Sequence, residues 1–479
     1  MATDNIHPFF KGYKIKPPST EEEPEPVPEK RTRDESIDYG LNAEQQQAFD
    51  AIVKGNSIFV TGPGGTGKSY LLQTLYAHYK GLTGKILAVT AMTGCAGLLI
   101  GPWAKTLHSW AGIGLGRLPV EQVAATIAKD SRKKKRWTKT DCLVIDEVSM
   151  LTPYLLEYLD KIGRLVRKKD LPFGGLQIVF VGDFYQLPPV SKENTDKRVF
   201  AFESYLWSQV VQTSVQLTQI LRQKDPVFQE ILNEEARTGE LSPNSYVMLE
   251  TRKTMDWKRQ EIKPTLLFVK NHDVSSINES KLAKLPGEEH IFEAETSQSP
   301  EDIRADILQM LVEKIDKDAS YESHLALKVG AQVMLLKQLM EDKEDEKGKK
   351  MKSPIHGLVN GSRGIVTGFA KDGFPRVKFM NGKELVVRKE KWSSDSEKDG
   401  DGVTREQIPL RLAYALTIHK AQGASLDSAL IDVGPSTFEY GQAYVALSRV
   451  RSMEALFIFE ISQRAFRAHP AVKAFYATL

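Results

Sequence analysis

The stretch Gly62-Pro-Gly-Gly-Thr-Gly-Lys68-Ser69 constrains this chain more than any other feature. It follows a short apolar run, Ser57-Ile-Phe-Val60, and it opens a segment with helical spacing from Ser69 to Tyr79. A glycine-rich loop between a strand and a helix turns its backbone N–H groups inward, and the helix adds the positive end of its dipole. Such a loop cradles phosphates. Gly62, Gly64, Gly65, Thr66 and Gly67 are the expected cradle, Lys68 the bridge between β- and γ-phosphates, and Ser69 a ligand of Mg²⁺. A P-loop also implies a parallel sheet behind it, because open α/β sheets bind ligands at the carboxyl ends of their strands.

The surrounding pattern agrees. Ile86 to Thr90, Cys142 to Asp146 and Gln177 to Gly182 are apolar strand candidates separated by helical stretches, which predicts parallel strands covered on both faces. A second set follows at Thr265 to Val269, Arg411 to Thr417, Ala429 to Val433 and Leu456 to Glu460. With 479 residues to bury, two α/β domains are the economical arrangement. Between the two halves of the second set lie Leu327 to Leu336, Gly364 to Thr367, Arg376 to Phe379 and Glu384 to Arg388, joined by glycine-rich turns. They predict a small antiparallel barrel inserted in the second domain. The charge-rich stretch Glu341 to Lys352 reads as a solvated loop. Residues 1–38 are rich in proline and charge and predict a disordered tail, with order beginning near Leu41.

Leu143-Val-Ile-Asp146-Glu147 delivers two carboxylates at the end of an apolar strand. Asp146 is placed to hold Mg²⁺ and Glu147 to polarise an attacking water. Gln186 ends a third strand region and is a candidate sensor of the γ-phosphate. Arg222 and Arg449 are candidate arginine fingers; two of them meeting one γ-phosphate across a cleft would couple ATP hydrolysis to closure, as in a motor. The formal net charge is only +3, so nucleic acid must be held by local patches. Trp103, His108, Trp110, Tyr185 and His419 are candidate stacking platforms for single-strand bases. Arg132-Lys-Lys-Lys-Arg136 is a candidate contact for duplex phosphates, with a nuclear-localisation signal as the alternative; Lys161 to Lys169 reads as an exposed helix face. The two cysteines, Cys95 and Cys142, form neither a disulfide framework nor a zinc site. No stretch reaches the roughly 18 apolar residues of a membrane span, and no signal peptide is evident, so a soluble intracellular protein is expected.

From Leu41 to Tyr476 the chain resembles the petite-integration-frequency (PIF) helicases, 5′-to-3′ superfamily-one DNA helicases similar to RecD. Leu41-Asn-Ala-Glu-Gln45 resembles their Q motif and Gly62 to Ser69 motif I; Thr90 to Gly97 with Thr106-Leu-His108 resembles motif Ia. Asp146-Glu-Val-Ser-Met resembles motif II, Gly182 to Val190 motif III, and Leu217 to Asp225 motif IV. Thr417-Ile-His-Lys-Ala-Gln-Gly423 resembles motif V, and Tyr444 to Ser452 motif VI. Ser149 to Gln177 is similar to the block peculiar to that family. Two departures stand out: Ala421 where the family carries serine, and Gly101-Pro-Trp-Ala-Lys105 before Thr106.

The resemblance implies two RecA-like P-loop NTPase domains, the first over 39–213 with a wedge insert at about 112–138, the second over 214–324 and 407–479. A Src-homology-3-like barrel would fill 325–406. Gln45 would contact adenine, and Thr93, Thr106, His108, Thr417, His419 and Gln422 would contact DNA. The implied activity is ATP- and Mg²⁺-dependent unwinding of duplex or structured DNA in replication, repair, recombination or telomere maintenance. Its partners would be single-stranded and forked DNA, the protein acting as a monomer. A nucleus is the expected compartment, with mitochondrion or viral replication compartment as alternatives. An ATPase switch without processive unwinding and an RNA-directed helicase are the rival readings. Ile6, Phe9 and Phe10 have the spacing of a sliding-clamp-binding peptide.

Overall fold

The computed structural model describes residues 38–81, 85–93, 96–97, 100–101, 103–114, 118–189, 197–259, 262–269, 271–299, 305–318, 321–337, 339–344, 350–355, 358, 361–393 and 402–479. The expected tail over 1–38, with Ile6, Phe9 and Phe10, lies outside them but for its last residue, and Pro102 lies outside them as well. Leu41–Leu479 is one compact unit.

Six parallel strands build the first sheet: β1 (Ile58–Thr61), β2 (Leu87–Ala91), β3 (Lys105–Thr106), β4 (Cys142–Asp146), β5 (Gln177–Gly182) and β6 (Thr213–Gln216), in the order β3-β2-β4-β5-β1-β6. β1 and β4 are buried along their whole length, as strands covered by helices on both faces must be. A second parallel sheet orders Ala415–Thr417, Thr265–Phe268, Ala429–Val433 and Leu456–Ile461. One apolar core runs through both sheets, from Phe59, Leu143 and Phe180 to Leu267, Ile431 and Val445. The α/β class with two parallel sheets and an antiparallel insert is as the sequence predicts.

Several boundaries move. β6 hydrogen-bonds to β1, so the first domain continues through Gln216 and the expected limit at 213 falls inside a strand. The expected strand Arg411 to Thr417 is divided: Leu410–Leu412 joins an antiparallel sheet with Gln332–Leu335, and Ala415–Thr417 joins the second parallel sheet. The antiparallel sheet orders Glu384–Val386, Pro375–Phe379, Arg363–Phe369, Gln332–Leu335 and Leu410–Leu412 around its own core of Val333, Val366, Val377 and Phe379. The insert also recruits chain from before 325. His290–Glu293 pairs with His324–Leu327, and Glu295–Ser299 pairs with Gly402–Gln407. The stretch expected as a loop at Glu341 to Lys352 instead contributes both strands of a hairpin, Met340–Glu344 against Lys350–Pro354.

The segment expected as a wedge is a helical hairpin, Val120–Lys129 and Ser131–Lys139. Asp130 sits between the helices and caps the second by accepting from the Arg132 and Lys133 amides. Val123, Ala124, Ile127 and Trp137 anchor it to the main core, while Arg132, Lys134 and Lys135 are exposed on its outer side. The block Ser149 to Gln177 is a packing unit. Gly163 lies so close to Phe173 that an added Cβ would meet its backbone at 2.8 Å. Phe173 is fully buried in a left-handed conformation (φ 52°), and its amide donates to Asp160 Oδ1 at 2.6 Å. Lysines 161, 168 and 169 are exposed as expected, but Arg167 turns back to donate to Gly174 O and Thr140 O.

Candidate nucleotide site at the seam of two sheets

β1 ends at Thr61 and the loop Gly62–Gly67 leads into the helix Lys68–Gly81. Gly62, Gly65 and Gly67 all have positive φ, and a Cβ on Gly62 would stand 2.3 Å from Leu217 O. No other residue fits this path. Lys68 Nζ lies at the loop's centre, donating to Gly62 O (2.6 Å) and Pro63 O (2.8 Å). Burial holds its pKa below the usual lysine value, against the pull of Asp183, Glu147 and Asp146. Ser69 is exposed at the first turn of the helix. Gln45 is buried behind the loop. Its Oε1 accepts from the Asn42 amide and its Nε2 donates to Thr66 O at 3.1 Å. Both ends of its amide group are committed, so here Gln45 braces the P-loop rather than facing a base.

Asp146 ends β4 as a buried carboxylate. Burial, and then the neighbouring Glu147, push its pKa up to about 7. Glu147 itself is held in a left-handed conformation (φ 55°, ψ 46°). That geometry costs about 1–3 kcal/mol in a non-glycine residue and persists where the surroundings over-determine it. Gly182, at the end of β5, permits it: a Cβ there would approach Val148 N to 2.9 Å. Among the described residues no cluster of three metal-ligating side chains occurs. One carboxylate plus one hydroxyl is the donor set that suits Mg²⁺ held jointly with phosphates, and Asp146 with Ser69 fits it.

The second sheet delivers three groups to the same place. Gln422, expected to touch DNA, is buried and donates through Nε2 to Glu147 Oε2 at 3.0 Å. Its amide is spent on that carboxylate because the turn after Ile418–Ala421 points into the seam. Tyr444 is fully buried; its hydroxyl accepts from the Gly64 amide of the P-loop (2.9 Å) and donates to Asp183 Oδ2 (3.1 Å). Arg449 is also buried, and its donors are used within its own lobe: Val445 O at 2.7 Å, Ala421 O at 3.3 Å, Ala424 O at 3.2 Å and Ser448 Oγ at 2.7 Å. Burial, and then the like charge of Arg222, lower its pKa to about 10, and Glu147 pulls the other way. Both arginines therefore share the electrostatics of the seam. Arg222 donates to Ser448 O at 3.4 Å, and its Cβ backs Gly65. Gln186 is buried just beyond β5.

Sequence reasoning missed the hub of this arrangement. Asp183 is fully buried and receives both ends of Arg237, each at 3.0 Å, besides the hydroxyls of Tyr444 and Tyr476. Tyr476 in turn meets Thr61 at the end of β1 and accepts from the Phe184 amide. The only signal was Asp183 itself, an ionisable residue ending an apolar strand.

The remaining expected DNA contacts separate into two groups. Thr106 and Thr417 cap short helices by accepting from Ser109 N and Lys420 N, and Thr93 accepts from Ala96 N. Their hydroxyls organise backbone. Trp110 and Tyr185 are core residues: Trp110 packs on Trp137 at 4.8 Å, and Tyr185 lies under the Arg237 guanidinium at 4.4 Å. Trp103 is stacked on Tyr76 at 3.8 Å. His108 and His419 are half-buried, and burial keeps His419 below the usual histidine pKa, against the pull of Glu439.

Residues 40–239 match the sequence profile of the PIF1-like helicases. The ATP-dependent DNA helicase PIF1 of Homo sapiens is 39% identical over 464 residues, which is 96% of this chain and 67% of that protein. The chain spans about two thirds of the length of the curated vertebrate PIF1 helicases it matches. The crystal structure of Pif1 helicase from Candida albicans superposes with a TM-score of 0.74 at 33% identity, covering 91% of this chain and 99% of that one. Pif1 helicase from Bacteroides, in complex with ADP-AlF3 and single-stranded DNA, superposes at 0.63 with 28% identity, over 91% of this chain and 97% of that one. Identity of this extent, running through both parallel sheets and the seam between them, places the chain in the PIF1-like helicase family.

Proposed function

We infer that the chain is an ATP-dependent DNA helicase: ATP bound at the P-loop draws the two lobes together, hydrolysis releases them, and the cycle moves the protein along a single strand. The observation that carries this reading is the seam. Gly64 of the P-loop is held by Tyr444 of the second lobe, and Glu147 by Gln422 of the same lobe, so a nucleotide entering the cradle meets both lobes at once. The names of the PIF1 helicase of Homo sapiens and of the Bacteroides complex with ADP-AlF3 and single-stranded DNA support it.

In the proposed site Lys68 leaves its loop carbonyls for the β- and γ-phosphates, and Ser69 with Asp146 would hold Mg²⁺, which would supply positive charge against the phosphates. Glu147 takes a proton from the attacking water, Gln186 faces the γ-phosphate, and Arg222 and Arg449 stabilise charge from the second lobe. Gln45 would swing from brace to adenine contact on binding. A single chain contains every one of these groups, which supports action as a monomer. Translocation from 5′ to 3′ and a role on forked or structured DNA, nuclear or mitochondrial, follow from the family. Two measurements test the reading: ATPase with and without single-stranded DNA or RNA, and strand separation on 5′-tailed against 3′-tailed duplexes. Strand-stimulated hydrolysis with unwinding of the 5′-tailed duplex is expected; stimulation without separation would mean a switch, and stimulation by RNA alone would change the substrate.

A further inference from the structure

Gln422 is a side chain with half its capacity used. Its Nε2 holds Glu147, and its Oε1, also buried, has no hydrogen-bond partner among the described residues. An orphaned buried acceptor costs free energy unless something fills it, so its survival beside a reactive carboxylate needs a reason. The group best suited to fill it is a water molecule with a proton to direct.

The turn that carries Gln422 is a single rigid piece. Thr417 caps its start by accepting from Lys420 N, the Gln422 amide donates to His419 O, and Ala424 N donates to Ala421 O. Arg449 Nη1 donates to both Ala421 O and Ala424 O, gripping the turn on either side of Gln422. His419 and Gln422 therefore cannot shift independently.

We propose that Gln422 is a positioning residue for hydrolysis, supplied by the second lobe, which fixes Glu147 through Nε2 and orients the attacking water through Oε1. The inference rests on Glu147 being the base of the proposed reaction. The water oxygen forms its bond to the γ-phosphorus as the bond from that phosphorus to the β–γ bridging oxygen breaks, its electron pair leaving on ADP. The water's proton passes to Glu147, whose other carboxylate oxygen remains for it while Oε2 is held by Gln422. Oε1 of Gln422 accepts a hydrogen bond from the same water and takes no proton. A strand seated at the Thr417–His419 end moves the turn as one body, so strand occupancy sets the alignment of Glu147. Stimulation of hydrolysis by DNA then has a physical carrier.

The test uses the full chain with Gln422→Met, which keeps the side chain's length and removes its polar atoms. Strand-stimulated kcat should fall about 10²-fold, the usual effect of deleting one preorganised hydrogen-bonding group. KM for ATP and the Kd for an oligothymidine strand should stay within about twofold, because neither ligand is held by this amide. On a Glu147→Gln background the second change should add almost nothing, since the two side chains act as one unit. Retained kcat, additive losses, or a weakened strand Kd that accounts for the lost turnover would each overturn the proposal. Should Gln422→Met fold poorly, Gln422→Glu keeps shape and polarity but loses the donor; undiminished strand-stimulated kcat there would overturn it equally. Full turnover by Glu147→Gln alone would sink the base assignment first, and this inference with it.

Discussion

The two lobes supply the seam in different ways. In the first lobe Lys68, Ser69, Asp146 and Glu147 stand at or just past the ends of parallel strands, each placed by a handful of neighbours in sequence. In the second lobe Gln422, Tyr444 and Arg449 are buried, and two of the three reach their partners across the seam: Gly64 lies 380 positions from Tyr444, and Glu147 lies 275 from Gln422. The first lobe gathers the carboxylates of Asp146 and Glu147 near the ammonium of Lys68 at the P-loop. The second brings neutral hydrogen-bonding groups and the guanidinium groups of Arg222, Arg237 and Arg449. Chemistry is thus assembled locally, while the link between chemistry and motion depends on long-range contacts that a small relative shift of the lobes makes or breaks.

That division is most exposed to a change at Arg449. Buried within its own lobe, it should leave its carbonyl partners for the γ-phosphate when the lobes close. Arg449→Ala should then cut strand-stimulated turnover by about 10³-fold or more with ATP binding retained, as removal of an arginine finger does. Single-turnover hydrolysis with labelled ATP reads this directly. A loss under about tenfold would make Arg449 only the anchor of the Ala421–Ala424 turn and leave Arg222 to supply the second lobe's charge.

Arg237 sharpens the contrast from the stability side. It pairs through two hydrogen bonds with Asp183, which is fully buried, its own side chain being 13% exposed. Breaking a buried pair from one side leaves an uncompensated charge, so Arg237→Ala should destabilise the fold by about 3–5 kcal/mol in equilibrium denaturation. A change of under 1 kcal/mol would mean that water already reaches Asp183. Lys68→Ala, by contrast, touches only the local cradle. It should leave stability nearly unchanged, because burial of the ammonium is itself unfavourable, and should lower kcat by about 10²–10³-fold.

The same contrast decides how much was legible in the sequence. The P-loop and the strand ending at Asp146 could be read because backbone geometry and residue type are coupled over a few positions: Gly62 and Gly67 are demanded by the path itself. The hub at Asp183 could not, since Arg237 sits in Glu234-Glu-Ala-Arg237 with nothing to mark it and its partner lies 54 positions away. Aromatic residues misled for a related reason. Trp110 and Tyr185 have the flat faces that bases stack on, but only the fold shows that Trp137 and Arg237 already cover them. Apolar alternation located the residues of Leu410–Leu412 and Ala415–Thr417 as strand without telling that they belong to different sheets, because period-two patterning carries no information about the partner. Gln422 stood in a motif of known kind, but its hydrogen bond to Glu147, 275 positions away, had no mark in the sequence.

The smallest expected effect, from Tyr444→Phe, tests the comparison where the lobes meet. The change deletes one oxygen and leaves the ring packed. That oxygen accepts from Gly64 N and donates to Asp183 Oδ2, and burial raises the hydroxyl's pKa further, so it remains a donor throughout the physiological range. Its removal leaves the Gly64 amide and one carboxylate lone pair unmatched, a cost of about 1–3 kcal/mol. Asp183 still has Arg237 and Tyr476, so the fold should survive. The freed Gly64 amide is a cradle donor, and phosphate can satisfy it. ATP binding should therefore recover part of the loss: KM for ATP should stay level or fall, while the ratio of strand-stimulated to basal kcat drops by about tenfold, since the second lobe no longer registers the state of the P-loop. If KM rises and the stimulation ratio stays fixed, Tyr444 merely shapes the loop, and the coupling between lobes runs through Gln422 and Arg449 without it.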